Sequence, residues 1–482
     1  MKQNKFRVPL LFTAAFVLIF ATACHTAQKM SKPSADDQFA AGPPPDGTPP
    51  GPPPNGMPPG PPPGGKKPNG MPPGGGMGQK FDVSTILATL SVKEGTQSKS
   101  NETITAANTN QSAVVTFGNA VLMLDRNTIS TTGRSSSSDN SSFQGLNAIV
   151  LSRDQSKINM SGNKLTSSGA GANAVFAYGK SVISSERDVI NCTGPYAHGL
   201  MASGGGTIVA SDVNVHTEGA NSGAVATDRG SGIITVNRGK ISTTGMDSPA
   251  LYSTGKITVS DAELSATGAE MAVIEGSNSI ALKRSNMSST KPDKWGVMIY
   301  QSFSGDAEGV DGNFSMEDGS LSYTDAKGPL FFVTNSVANI HLKNVEITAP
   351  SGILLKATTG RWGHKGSNGG KANLTVESQT LNGSLMADSL STVSLSLLGN
   401  SVFTGSINAD GQAHKASLNL DGTSSWTLAA DSYVNVLNAD ISGDAVMNII
   451  GNGHTVYYKQ AENKRLDGKT YTLKQGGTLK PE

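Results

Sequence analysis

Cysteine is almost missing: the 482 residues hold only Cys24 and Cys192, too few for a disulfide framework, so stability has to come from a large core. Charge of one sign is missing too. With 38 basic and 37 acidic residues, nothing in the balance recommends nucleic acid as a partner. Aromatic residues make up 5%, and the seven histidines are scattered without metal-ligand spacing, so neither a metal nor another cofactor is expected. After the first twenty residues no apolar run approaches a membrane span. What is abundant is glycine, 57 residues, together with serine, threonine and asparagine, the composition of an all-β chain with many turns.

The N-terminus reads as an export signal. Lys2, Lys5 and Arg7 precede an apolar run from Val8 to Phe20, too short for a comfortable span. The segment Ala21-Thr22-Ala23-Cys24 resembles the lipobox of bacterial lipoproteins. That resemblance implies cleavage of residues 1–23, lipidation of Cys24, and a membrane partner held through the lipid alone; an ordinary signal peptide with a chance cysteine is the alternative. His25 rather than Asp after the cysteine implies an outer-membrane or cell-surface destination in a Gram-negative cell. Residues 24–41 form a tether. Residues 42–78 hold 16 of the 24 prolines, and their first glycines, at 42, 47, 51, 56, 60 and 64, are four or five apart, which excludes a collagen triple helix. Such a segment favours extended polyproline II and serves as a spacer of roughly 115 Å at ~3.1 Å per residue, or else as a ligand for a proline-binding domain.

From residue 122 onward one pattern recurs: apolar, any, apolar, four residues, apolar. It runs through Leu122/Leu124/Ile129, Ile158/Met160/Leu165, Ile208/Ala210/Val215, Ile234/Val236/Ile241, Ile257/Val259/Leu264 and on to Leu374/Val376/Leu381, with weaker copies at Ile183, Leu395 and Leu418. Twelve copies, most 21–26 residues apart, imply stacked coils of one repeated unit. Between them lie apolar triplets such as Ala174-Val175-Phe176, Leu200-Met201-Ala202 and Ala250-Leu251-Tyr252. Strict alternation would send Val175, Met201, Val225, Leu251, Val273, Met298, Phe331 and Leu354 outward, so either the chain bends and buries them, or a covered or exposed apolar stripe exists. A glycine commonly closes the first motif, at 133, 169, 194, 219, 245 and 268, as a turn needing positive φ would require.

These repeats resemble the right-handed parallel β-helix proteins, the pectate-lyase-like superfamily to which many autotransporter passengers and adhesins belong. The resemblance implies an all-β, single-stranded parallel β-helix over residues 113–425, a cap over 79–112, and capping strands within 426–482 such as Gly453-His454-Thr455-Val456-Tyr457-Tyr458. Lyases on that scaffold set acidic calcium ligands beside a basic residue, and no strand column here carries that constellation. The expectation is therefore a surface binding or adhesin-like module that recognises polysaccharide or a host glycan, with no catalytic residue assigned; a polysaccharide lyase or glycoside hydrolase is the alternative.

Two long insertions, about 302–312 and 357–371, are the best candidate site, because long loops on rigid scaffolds carry binding. The first holds Asp306, Glu308 and Asp311, which fail the EF-hand pattern because Val310 occupies a ligand position. The second holds Arg361, Trp362, His364 and Lys365, and Trp295 precedes the first. The tryptophans offer faces for sugar rings. Simple charge pairing between the two loops would account for the same residues. Cys192 falls in a small-residue column with Thr131, Ser167, Thr217, Thr243 and Ala266, the place of buried filler.

Overall fold

Alternation with one deliberate slip shapes each coil. In the strand Lys256–Ala266, Ile257 and Val259 are buried, two outward residues follow, and Ala262, Leu264 and Ala266 are buried again. The slip falls at Asp261, whose φ of 54° turns the strand through a corner, so that both halves present their apolar side inward. Asp212, Arg238 and Arg284 hold the same left-handed conformation at the same corner. Arg238 forks onto Asp212 of the preceding coil at 2.7 and 2.8 Å, and Arg284 does the same to Asp261.

The computed structural model describes residues 81–83, 86–303 and 306–482; the export signal, Cys24 and the proline-rich segment lie outside the described residues. The chain is an all-β solenoid of parallel strands with about sixteen turns, which at ~4.8 Å per turn makes a rod of about 75 Å. Among the described residues the strands form two sheets, of twenty and nineteen strands. A typical coil gives one short strand to the first sheet, such as Leu200–Ser203, and a bent one to the second, such as Thr207–Thr217.

The core is a set of ladders. Leu122, Ile158, Ile183, Ile208, Ile234, Ile257, Ile280, Phe314, Ile340, Leu374, Leu395 and Leu418 pair coil to coil in register. Each removes an apolar side chain from water, worth about 1.5–3 kcal/mol. The rod has more turns than the motif has copies because end coils depart from it. Gln97 and Lys99 stand at the positions of Leu122 and Leu124, where among the described residues no coil lies below to cover them. At the other end Ile441–Ser442 folds back antiparallel on Ala445–Ile450, and Tyr471–Lys474 on Thr478–Pro481, which closes the stack.

One sequence expectation needs correction. The glycines at 133, 169, 194, 219, 245 and 268 do not have positive φ. They are required by contact: a Cβ on Gly219 would lie 1.9 Å from the carbonyl oxygen of Gly194, and one on Gly245 would lie 1.9 Å from that of Gly219. Strict alternation does not hold through the triplets either, and both a bend and a covered stripe occur. Val175, Val225, Leu251, Phe331 and Leu354 lie in the main core. The triplets start at different phases, so Val175 pairs with Leu200 and it is Phe176 that pairs with Met201.

Candidate functional site

The outward column of the first sheet is apolar over nine coils: Val115, Leu151, Phe176, Met201, Ala226, Tyr252, Val273, Met298 and Phe332 follow one another in register. It is not open to solvent, and two outer clusters separate from the main core bury it. Toward the N-terminal end Ile86, Ala88 and Phe117 pack on it. Next comes a short helix, Ser138–Gln144, capped by the Ser137 side chain and ended by Gly145 in the left-handed conformation. Arg153, itself buried, binds the Gln144 carbonyl at 2.5 Å and lies 4.1 Å from the Tyr178 ring. The rest of the cover comes from Trp295, Tyr300 and Trp362, the last of them in the insertion 357–371.

The strand end that leads into the first insertion meets the second. Tyr300 stacks obliquely on Trp362 with ring centres 4.8 Å apart, and the Asn335 amide donates to the Gln301 carbonyl while its backbone amide binds Asn368. Asp306 pairs instead with Arg229, 2.6 Å away, whose guanidinium covers Phe143 of the helix. Glu308 is exposed and accepts the Ser277 amide through its backbone; Asp311 is exposed and opens the strand Asp311–Tyr323. Trp295 is 7% exposed and stacks on Phe332 at 4.1 Å. Trp362 is half-buried with Arg361 over its ring at 4.4 Å, while Arg361, His364 and Lys365 are exposed.

The second insertion is held firmly. The Asp388 carboxylate accepts the Thr359 amide at 2.6 Å and the hydroxyls of Thr358 and Thr359 at 2.9 and 2.8 Å. Partial burial works against its ionisation, yet hydrogen bonds from Ser391, Thr359 and Thr358 bring it down to about 2. Asn368 ties the carbonyls of Gly360 and Trp362 together.

Where the cover ends, a groove opens. Beyond Phe332 the outward column continues as Lys356 and Met386. A hollow of about 370 Å³ lined by Asp293, Lys294, Trp295, Asp325, Lys327 and Lys356 shares Lys356 with a second, of about 280 Å³, lined by Thr358, Met386, Asp388, Asp410 and Gln412. A third, beside the Arg361–Lys365 loop, reaches Leu390. Sequence reasoning found the loops but missed Lys327, Lys356 and Asp410 and the helix. The signal for the helix was present: the step from Leu122 to Ile158 is 36 residues, and Ser137 and Gly145 bracket it as cap and stop.

A carboxylate cluster lies under the cover. Glu275 is 1% exposed and accepts the hydroxyls of Tyr252 at 2.5 Å, Tyr300 at 2.9 Å and Ser302. Burial, then the nearby Asp306, pushes the Asp228 carboxyl up to about 7. Elsewhere Cys192 sits fully buried in its column, and burial pushes its thiol up to about 11, so it stays protonated at neutral pH. Among the described residues no His, Cys, Asp and Glu group is arranged to hold a metal ion, and no helix is long and apolar enough to cross a membrane.

Comparison with known proteins matched the chain to no family model, no curated protein and no solved structure. Its class is that of the parallel β-solenoids.

Proposed function

We propose that this protein is a glycan-binding, adhesin-like module displayed at the cell surface on a lipid anchor at Cys24 and a proline-rich stalk. One observation carries the reading: the open groove along the first sheet, which begins where the protein's own cover stops. Its coils, from Lys294 to Asp410, span about 19 Å at ~4.8 Å per coil, enough for a short oligosaccharide lying along the rod. Its lining alternates cations and carboxylates with an amide, groups that hydrogen-bond hydroxyls, and a rigid sheet forms its floor. The pectate-lyase-like resemblance supports the same class of ligand.

A second reading, glycoside hydrolysis, rests on the neighbouring carboxyl groups of Asp228, Glu275 and Asp306, with Asp228 pushed up to about 7 by burial and then by Asp306, because such cleavage uses a pair of carboxyl groups. The cover over Glu275 argues against it.

Screening exported Cys24→Ser protein on a glycan array, with a reducing-sugar assay in parallel, tests both. Retention of a glycan without new reducing ends is expected. Release of reducing ends would replace the binding reading with the hydrolytic one, and no retained glycan would overturn the first. Membrane fractionation tests the anchor: Cys24→Ser should move to the soluble fraction, and equal retention of both forms would refute lipidation at this cysteine.

A further inference from the structure

Three charged side chains from three successive coils converge below the groove. Lys294 Nζ lies 2.9 Å from Asp247 Oδ1 and 3.7 Å from Glu270 Oε1, and the side chains are 8%, 15% and 3% exposed. We infer that this triad is a self-processing cross-link site, at which Lys294 and Asp247 condense to an amide with Glu270 as the proton relay.

The chemistry balances without a co-reactant. A proton passes from the Lys294 ammonium to the Asp247 carboxylate, leaving an amine and a carboxylic acid in contact. The nitrogen lone pair attacks Cγ and forms the C–N bond. Glu270 takes a proton from that nitrogen and delivers it to the hydroxyl oxygen. The C–O bond breaks and one water leaves; nothing is oxidised or reduced.

The surroundings favour each step. Burial in a low-dielectric site favours the neutral amide product over two charges. The reactants are fixed next to each other by the stacking of the coils, which replaces an encounter between free groups. The Lys294 backbone amide is held by the Tyr323 hydroxyl at 3.2 Å, and Trp295 beside it is clamped on Phe332. Glu270 Oε1 is buried, 3.7 Å from Lys294 Nζ and beyond hydrogen-bond distance of every described residue, a position from which a relay can take up a proton. Burial raises the Glu270 carboxyl, and Lys294 draws it back, which suits a group that must both take and give a proton. Lys294 lines the groove, so the released water has a way out. The product would tie one coil to the next but one, a lengthwise staple in a rod whose only described cysteine, Cys192, is unpaired.

The test is peptide mass spectrometry on the full chain. In cross-linked protein trypsin should release residues 241–256 joined to residues 285–327, lighter by one water than the sum, because linkage blocks cleavage after Lys294 and Pro292 blocks it after Lys291. Lys294→Arg keeps a cation and should give only unlinked peptides. Glu270→Gln should slow linkage on the order of a hundredfold. Unlinked peptides 241–256 and 285–294 from folded wild-type protein would overturn the proposal. Linkage at the wild-type rate in Glu270→Gln would overturn the role of Glu270.

Discussion

Arg229 joins two insertions that are far apart in sequence: its guanidinium lies 4.0 Å from the centre of the Phe143 ring while Nε and Nη2 donate to Asp306 at 3.1 and 2.6 Å. The helix Ser138–Gln144 and the loop around Asp306 are thereby one continuous cover over the apolar column. Arg229→Ala should lower stability by only about 1 kcal/mol, since the pair is half exposed. Hydrogen exchange should accelerate at residues 138–144 and 306–310 together. Acceleration in one segment alone would mean that the two halves of the cover are independent.

The glycine column makes a steric prediction. Gly219→Ala should destabilise on the order of 3 kcal/mol, because its methyl group would overlap the Gly194 carbonyl and the coils cannot separate locally. Gly422→Ala, with nothing within 4 Å of its Cβ, should be neutral. Equal urea midpoints for the two variants would refute contact as the reason for the glycines.

Asp188 ends a buried ladder of amides. Asn127 donates to Asn163 at 3.0 Å, and Asn163 donates to Asp188 at 2.9 Å through its side chain and 2.6 Å through its backbone. Burial raises the Asp188 carboxyl above its ordinary 3.8 despite these bonds and one from Ser185. An acid raised in the folded state takes up a proton more readily folded than unfolded. Its contribution is therefore most favourable below 3.8 and is lost as pH rises through the folded value. Asp188→Asn should melt no lower than wild type at pH 7, and wild type should gain on it as pH falls toward 3.5. A gap that stays constant with pH would show that Asp188 does not titrate in this way.

Ile257 is fully buried between Ile234 and Ile280, so Ile257→Asp should cost several kcal/mol or abolish folding. Ser265, half-buried between Ser242 and Ser288 on the outer side, should accept Asp with a change within about 0.5 kcal/mol. Thermal melts with similar losses would place the inward register one residue off.

For the groove, Lys356→Ala should weaken glycan binding at least as much as Trp362→Ala, because Lys356 lines both connected hollows while Trp362 is half-buried against Tyr300. Trp295→Ala should act through stability, since its ring lies on Phe332. Isothermal titration with the glycan identified on the array measures all three. A larger loss from Trp362→Ala would move the site to the hollow beside Arg361 and Lys365.

The repeat alone determined the solenoid, and the reason is local. Alternation decides which side chains face inward, and a period of 21–26 residues can bury that face only by stacking on its neighbours, so Ile257 and Leu264 were legible without coordinates. The loops at 302–312 and 357–371 were legible as breaks in the period. The tertiary structure decided what faces what. That Phe176 rather than Val175 points outward depends on pairing between coils, and a shift of one residue reverses the face. That Trp295 lies under Phe332, that Arg229 reaches Asp306 across 77 residues, and that Asp247, Glu270 and Lys294 meet depends on stacking, which places residues one coil apart in sequence about 4.8 Å apart in space. No single coil contains any of these contacts, so no local pattern could reveal them.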